Sequence, residues 1–361
     1  MKLTYNVEDR PNFSKVLIFA FQQLLAILAA TIAVPAIVKN GMSASAALFG
    51  AGVGTLVYLC FTKFKSPVFL GSSFAFINSM LAAFAGAAST AVGYLGLIIG
   101  AFFAGLVYVI LSIIVKFAGV KWIDKLMPPV VIGPTVAIIG LTLAGNAVSD
   151  LSGAKVTTNT YVCIICGIVT LFATMISSVF GKKMMKMIPF IIGIVCGYIV
   201  ATIFTLVGNS TGNADLVVID FSKFSDMKWI PDFTFIEAFK GFESLTPSYF
   251  ATVLVAYIPV AFVVFAEHIA DHKNLSSIIE RDLLENPGLS RTLLGDGVGS
   301  AVGAFFGGCP NTTYGESVGC VAISGNASVI TIFTTSIMAI VASFIAPFVA
   351  LLATIPACVM G

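Results

Sequence analysis

Two hexapeptides decide the fold: Gly50-Ala-Gly52-Val-Gly54-Thr55 and Gly295-Asp-Gly297-Val-Gly299-Ser300. Each is followed by aromatic residues and then by a proline-containing break, Lys65-Ser-Pro67-Val-Phe-Leu-Gly71 after the first and Gly308-Cys-Pro310-Asn-Thr-Thr-Tyr-Gly315 after the second. Further on, Met127-Pro128-Pro-Val-Val-Ile-Gly133 is echoed by Ile355-Pro356-Ala-Cys-Val-Met-Gly361, with a Pro-to-Gly spacing of five in both. One echo among small apolar residues carries no weight. Three in the same order indicate an internal repeat.

The surrounding composition says what is repeated. The chain has 361 residues, of which 58% are hydrophobic and only 10% charged, and its mean hydropathy is +1.03. Soluble domains run at about 45–50% apolar and about 25% charged, so this chain cannot clothe a water-soluble enzyme. With 31 Phe, disorder, a coiled coil and a collagen-like fibre are excluded as well. A membrane β-barrel would be polar on its inner face and far less hydrophobic. An all-α polytopic membrane protein remains. The net charge of +2 offers neither a basic surface for nucleic acid nor an acidic tail.

A spanning helix needs about 20 apolar residues. Eleven segments qualify, at 14–38, 44–62, 68–88, 92–116, 128–147, 159–180, 187–208, 248–268, 291–307, 311–326 and 328–355. A polar stretch, 209–247, separates the first seven from the last four. With the N-terminus in the cytoplasm, inside loops carry Lys63, Lys65, Lys116, Lys121, Lys125, Lys182, Lys183 and Lys186, and outside loops only Lys39 and Lys155. This is the lysine bias expected of cytoplasmic loops. The acidic stretch with Asp215, Asp220, Asp226, Asp232 and Glu237 then lies outside. Because the repeat restarts after an odd number of spans, its second copy enters the membrane from the opposite side. Inverted repeats of this kind mark secondary transporters and place the binding site near the midplane. Cys163 and Cys166 form a CxxC inside an apolar run, without a second pair or a flanking His, and read as core packing.

Charges inside spans are the informative residues. An acidic residue at a helix centre costs about 2.5–3.5 kcal/mol on insertion scales. Glu267 at the end of span eight and Glu316 in span ten are the chief candidates, Asp296 near the start of span nine a further one, and Asp271 and His272 read as a solvated cytoplasmic helix end. Irregular backbone is the second signal. Gly71-Ser72-Ser73-Phe74 and Thr312-Thr313-Tyr314-Gly315 occupy corresponding places in the two copies. Each reads as a short extended stretch followed by a half-helix, tolerated at membrane depth only where it is buried or lines a cavity. Two half-helix N-termini would offer free N–H donors to a ligand. Such a site has carboxylates from Glu267 and Glu316, main-chain donors near Phe74 and Gly315, aromatic faces from Phe74 and Tyr314, and no Arg or Lys in those motifs. That chemistry suits a small, flat, neutral or weakly acidic molecule with both donors and acceptors, such as a nucleobase. A buried carboxylate can also carry a proton.

At these residues the chain resembles the bacterial uracil permeases of the nucleobase–cation symport-2 (nucleobase–ascorbate transporter) family. The likeness covers essentially the whole chain and is densest at Phe69-Leu-Gly-Ser-Ser-Phe-Ala-Phe76, Ala266-Glu-His268, Asn286-Pro-Gly288 and Pro310-Asn-Thr-Thr-Tyr-Gly-Glu316. The resemblance implies a fourteen-span, seven-plus-seven inverted repeat. Residues 1–133 and 248–361 would hold the two halves of a core domain (spans one to four and eight to eleven), and 134–247 the first half of a gate domain. It further implies that Glu267 and Glu316 bind uracil together with main-chain donors at Phe74 and Gly315, that Tyr314 lines the pocket, and that Ser73, Thr313, Asp296 and Gln23 support it. His272, with Glu267, would serve proton coupling, with no cofactor beyond the proton. Members of the family tend to form homodimers and to move the core past the gate like an elevator, which would place this chain in a bacterial cytoplasmic membrane as a uracil symporter. Several positions depart from the family pattern. Gln22-Gln23 stands where Gln-His is frequent, Ser317 where Asn follows the glutamate, and Ser324 where Thr is usual. Asp296 is more typical of the purine-transporting branch, whereas Glu316, where xanthine transporters tend to have Gln, favours uracil.

Rival readings are weaker. An anion carrier on the same fold would place a basic residue at the half-helix N-termini. A membrane zinc hydrolase would read His-Glu-x-x-His, and this chain has Glu267-His-x-x-Asp-His272 and no other His. The repeat also bears on length: copy one runs on after Gly133 through three more spans, whereas Gly361 ends copy two at the matching glycine. The expectation is a second repeat truncated after span eleven, lacking the other half of the gate, in a chain that binds substrate without transporting it.

Overall fold

The computed structural model describes residues 3–120, 122, 130, 134, 138, 141, 144–145, 147–152, 159–182, 185, 189–225 and 227–360. In chain order its elements begin with α1 (Phe13–Val38), α2 (Ala44–Phe61), β1 (Leu70–Ser72), α3 (Ile77–Ala85) and α4 (Thr90–Ala118). Next come α5 (Thr160–Phe180), α6 (Pro189–Thr211), α7 (Thr234–Ala238) and α8 (Pro247–Ile279). The chain closes with α9 (Leu289–Gly307), β2 (Asn311–Thr313), α10 (Gly315–Ser324), α11 (Val329–Ala342), α12 (Ala346–Ala353) and α13 (Ala357–Met360). Helix starts carry the side-chain caps expected of them: Ser43, Ser89 and Thr246 accept from Ala46, Val92 and Tyr249 N–H at 3.3 Å each. Pro247 sits in the first turn of α8, where its missing N–H costs nothing. Among the described residues α1, α2, α4, α5, α6 and α8 are long and apolar enough to cross a membrane.

Contacts divide the chain into two compact units. The first comprises Met1–Ile139 and Pro231–Ser343, the second Gly140–Ile230 and Phe344–Gly361. In the first, the order helix, helix, strand, half-helix, helix occurs twice, as α1-α2-β1-α3-α4 and as α8-α9-β2-α10-α11. The two strands pair antiparallel, as inverted copies require. In the second unit, Cys163 and Cys166 of α5, Ala201 of α6, Ile219, Cys358 and Val359 share one apolar core, and the Tyr198 hydroxyl meets Thr354 Oγ1 at 2.8 Å.

The hexapeptides explain how the first unit packs. Lipid tails supply no hydrophobic drive between helices, so close approach through small residues takes over. A Cβ on Gly54 would stand 2.7 Å from the Gly299 carbonyl oxygen, and one on Gly299 would stand 2.7 Å from that of Gly54. Gly50 meets the Gly303 carbonyl as closely, and Gly297 abuts the Gly105 carbonyl of α4. The two echoed motifs thus lie directly against one another, main chain to main chain.

Expected spans one, two, four, six, seven and nine are single helices within a few residues of their reading. Spans three and ten are broken into strand plus half-helix. Most of span five, most of the 127–133 echo, Lys121, Lys125, Lys155, Lys183, Lys186 and Asp226 lie outside the described residues. Two readings need correction. Span eleven is not one helix but α11 and α12: Pro347 has no N–H, and its ring excludes the carbonyl four residues back, at Ser343, where α11 stops. Span eight runs on to Ile279, so Asp271 and His272 lie within α8 rather than at a solvated end, and His272 is fully buried.

Valine at Gly54 or Gly299 forces the two backbones apart. Each substitution should cost at least about 2 kcal/mol, seen as a lower melting temperature of the detergent-solubilised protein. Gly319→Ala, on α10 with open space around it, should leave the melting temperature unchanged or slightly raised.

Candidate functional site

The site is built on the crossing of the two broken spans. Leu70, Gly71 and Ser72 pair with Thr313, Thr312 and Asn311, and Ser73 N–H to Pro310 O at 2.9 Å and Tyr314 N–H to Phe69 O at 3.3 Å extend the ladder. The hexapeptides clamp it from outside. Thr55 Oγ1 accepts from Leu70 N–H at 2.9 Å, and Asn311 Nδ2 donates to Gly50 O at 3.1 Å. The Tyr314 hydroxyl donates to Ser72 O at 2.8 Å, and its ring occupies the space that a side chain on Gly71 would need. Both strands are fully buried, so this non-helical backbone satisfies itself inside protein, as the bilayer demands.

Each strand feeds a half-helix whose first N–H groups have no partner within the helix and whose dipole favours negative charge. Phe74 precedes α3, and Gly315 and Glu316 open α10. Gly315 is exposed, and Phe74 and Glu316 are partly exposed, among neighbours that are buried. From α8, Glu267 and Asp271 face the same place, both partly exposed. Asp271 Oδ2 accepts from Thr313 Oγ1 at 2.7 Å, and its Oδ1 is 3.8 Å from where a Cβ on Gly315 would stand. Glu267, Asp271 and Glu316 lie within electrostatic reach of one another. Gln23 of α1 braces α10: its Nε2 donates to Ser317 Oγ at 2.5 Å, and that oxygen also accepts from Phe69 N–H at 3.1 Å. Ser73 is buried and its hydroxyl has no partner.

The opposite face of α8 carries the histidines. His268 Nδ1 lies 2.6 Å from Asp296 Oδ2 and its Nε2 lies 3.0 Å from Thr292 Oγ1. His272 Nδ1 donates to the His268 carbonyl at 2.8 Å, and its Nε2 is 2.8 Å from the Tyr58 hydroxyl, which also bonds Ser66 Oγ at 2.7 Å. Both ring nitrogens of His272 are therefore engaged, Nδ1 within α8 and Nε2 across to α2. The structure gathers Glu267, Glu316, Phe74, Gly315, Tyr314, Thr313 and Ser73 at one crossing, with Gln23 behind it. It sets His272 and Asp296 on the other side of α8. Asp271 is the residue the sequence reading undervalued, and spacing could have found it. Residues four apart share a helix face, which pairs Asp271 with Glu267 and His272 with His268.

Two half-helices meeting N-terminus to N-terminus at membrane depth, faced by acidic side chains from a third helix, define a polytopic carrier. The transmembrane domain of a cyanobacterial bicarbonate transporter, BicA, shares this fold. It superposes with a TM-score of 0.69 at 16% identity, covering 98% of this chain and 87% of that one. The profile of the Permease family, xanthine and uracil permeases, matches residues 14–361. The "Uracil permease" of Bacillus caldolyticus is 38% identical across 100% of this chain and 78% of its own length, and that of Bacillus subtilis 36% identical across 100% and 79%. The "Putative pyrimidine permease RutG" of Escherichia coli is 28% identical across 98% of this chain. The chain belongs to this permease family, the nucleobase–cation symport-2 group, and is a multi-pass membrane protein.

Tyr58→Phe strips two buried partners, His272 Nε2 and Ser66 Oγ, of their common hydrogen bond. It should destabilise the protein by about 2–3 kcal/mol, read as a lower melting temperature.

Proposed function

We propose that this protein carries uracil across a bacterial cytoplasmic membrane together with protons. The observation that supports it best is the pairing of two half-helix N-termini with Glu267 and Glu316 across a partly exposed opening. Uracil presents two N–H donors and two carbonyl acceptors in one plane. Glu267 and Glu316 would take the N–H groups, and main-chain N–H at Phe74 and Gly315 the carbonyls. Tyr314, buried under Gly71, sets the back of the pocket. The relatives named uracil permeases point to the same substrate.

Proton coupling finds support in the acidic cluster. Glu267, Asp271 and Glu316 have no Lys or Arg partner among the described residues, and a carboxyl group held inside protein without a cation can carry a proton. The cluster therefore shares protons, and uracil, which needs acceptors and not negative charge as such, binds best when part of it is protonated. In this reading the proton resides on Glu267 and Asp271, and His272, which the family resemblance implied, positions α8 against α2. The N-terminus would be cytoplasmic. The first unit, which holds the whole candidate site, would be the core, and the second, Gly140–Ile230 with Phe344–Gly361, part of the gate, in an elevator-like cycle within a homodimer. A purine substrate is the second reading, favoured by Asp296 alone.

Equilibrium binding of labelled uracil to the purified full chain tests the site. Glu267→Ala and Glu316→Ala should each weaken binding at least about 10-fold, the loss of one hydrogen bond to a desolvated N–H of the base. Normal affinity in Glu316→Ala, or stronger competition by xanthine than by unlabelled uracil, would sink the assignment. Coupling is tested by pH, since proton and substrate binding must be reciprocal. Affinity should rise as pH falls from 8 to 6, and Asp271→Asn should flatten the dependence, whereas a pH-independent Kd in the unaltered protein argues against symport.

A further inference from the structure

Residues 234–244 lie within the polar stretch before α8 and take no part in the candidate site. They form α7 and then a 3₁₀ helix, Phe239–Ser244, and α8 follows at Pro247. Side chains three apart share a face in both kinds of helix, and here the three faces differ in character. Phe235, Ala238 and Gly241 face protein. Phe235 stacks on Phe305 of α9 at 4.9 Å, Ala238 is fully buried, and a Cβ on Gly241 would stand 2.7 Å from the Ala91 carbonyl oxygen in the first turn of α4. Glu237, Lys240 and Glu243 form a polar face, with Lys240 Nζ 2.6 Å from Glu237 Oε2. Ile236, Phe239 and Phe242 form an apolar stripe that is 51%, 54% and 55% exposed.

The place of this stripe says what covers it. Phe233 packs edge-on against Phe49 of α2 at 4.9 Å and Phe306 of α9 at 5.8 Å, so the segment crosses the starts of α2 and α4 and the end of α9. Both α2 and α4 are apolar enough to span a membrane, and the ends of spanning helices reach the headgroup region. Ala91 precedes Phe102 by eleven residues, about three turns, and so lies on the same face of α4. That face carries Phe102, Leu106, Ile110 and Ile113, all exposed, as a spanning helix does toward lipid. The stripe therefore continues a lipid-facing surface at its headgroup end. By itself it is too small for a protein partner: three half-exposed apolar side chains present about 300 Å², against about 800 Å² per partner in a stable interface.

We propose that residues 234–244 are an interfacial anchor bound to lipid at the membrane face where α2 and α4 begin. Ile236, Phe239 and Phe242 sink among the acyl chains just below the headgroups, the depth that aromatic rings prefer. Glu237, Lys240 and Glu243 stay among the headgroups and water. The anchor holds the ends of α2, α4 and α9 at that depth through Phe233, Phe235 and Gly241, and it does not depend on what the site carries.

The test is fluorescence quenching of the full chain reconstituted in phosphatidylcholine vesicles. Trp122→Phe and Trp229→Phe remove both native tryptophans, and Phe239→Trp or Lys240→Trp then supplies a single reporter. An apolar face in the interface lies about 5–10 Å deep, so lipid brominated near the headgroup should quench Phe239→Trp at least about twofold. Lipid brominated at the chain ends should quench it less, and iodide present on both sides of the vesicle hardly at all. Lys240→Trp should show the reverse, with strong quenching by iodide and little by either lipid. If Phe239→Trp does not fold, Phe242→Trp reports on the same stripe. Iodide quenching of the stripe reporter as strong as that of Lys240→Trp places the stripe in water and overturns the proposal. So does a stripe reporter that neither iodide nor brominated lipid reaches, the result expected if a second copy or another protein covers it.

Discussion

Three residues of antiparallel ladder, Leu70–Ser72 against Asn311–Thr313, are the constraint on which the rest of the structure depends. Any non-helical backbone at membrane depth must find hydrogen-bond partners within the protein, because lipid offers none. Each broken span solves this for the other. The pairing places two half-helix N-termini at one point, and that convergence is the origin of the candidate site: the break itself leaves main-chain N–H groups without helical partners, with acidic side chains brought towards them on α8.

The ladder can form only because α2 and α9 pass close enough to clamp it. Gly50, Gly54, Gly299 and Gly303 allow main-chain contact between the two helices, and the same stretches supply Thr55 and the Gly50 carbonyl that fasten β1 and β2. A motif that in sequence looks like a run of small residues does two jobs with one geometry: it sets interhelical distance, and it presents polar atoms to the strands at that distance. Asn311 reads the spacing directly, since its amide spans from β2 to the Gly50 carbonyl.

Much of this was legible in the chain. The repeat was visible because inverted copies keep the same small residues in the same order, and the strand breaks because proline, glycine and hydroxyl residues cluster where a helix would otherwise continue. What the sequence hid was of two kinds. Helix ends in polar company are ambiguous, so α8 was read as stopping near Glu267 when it continues to Ile279, and Asp271 was thereby misplaced. Long-range partners leave no local trace either. Nothing near Gln23 announces Ser317, and nothing near Tyr58 announces His272. The break at Ser343 was marked by Pro347 but lost in a long apolar run that otherwise reads as one span.

Pairing the two repeats through β1 and β2 has a consequence for how such a protein can work. Prising the half-helices apart to admit a ligand would strip six buried strand residues of their partners, in surroundings where water cannot replace them. The pocket is therefore a sealed joint between the copies and not a hinge.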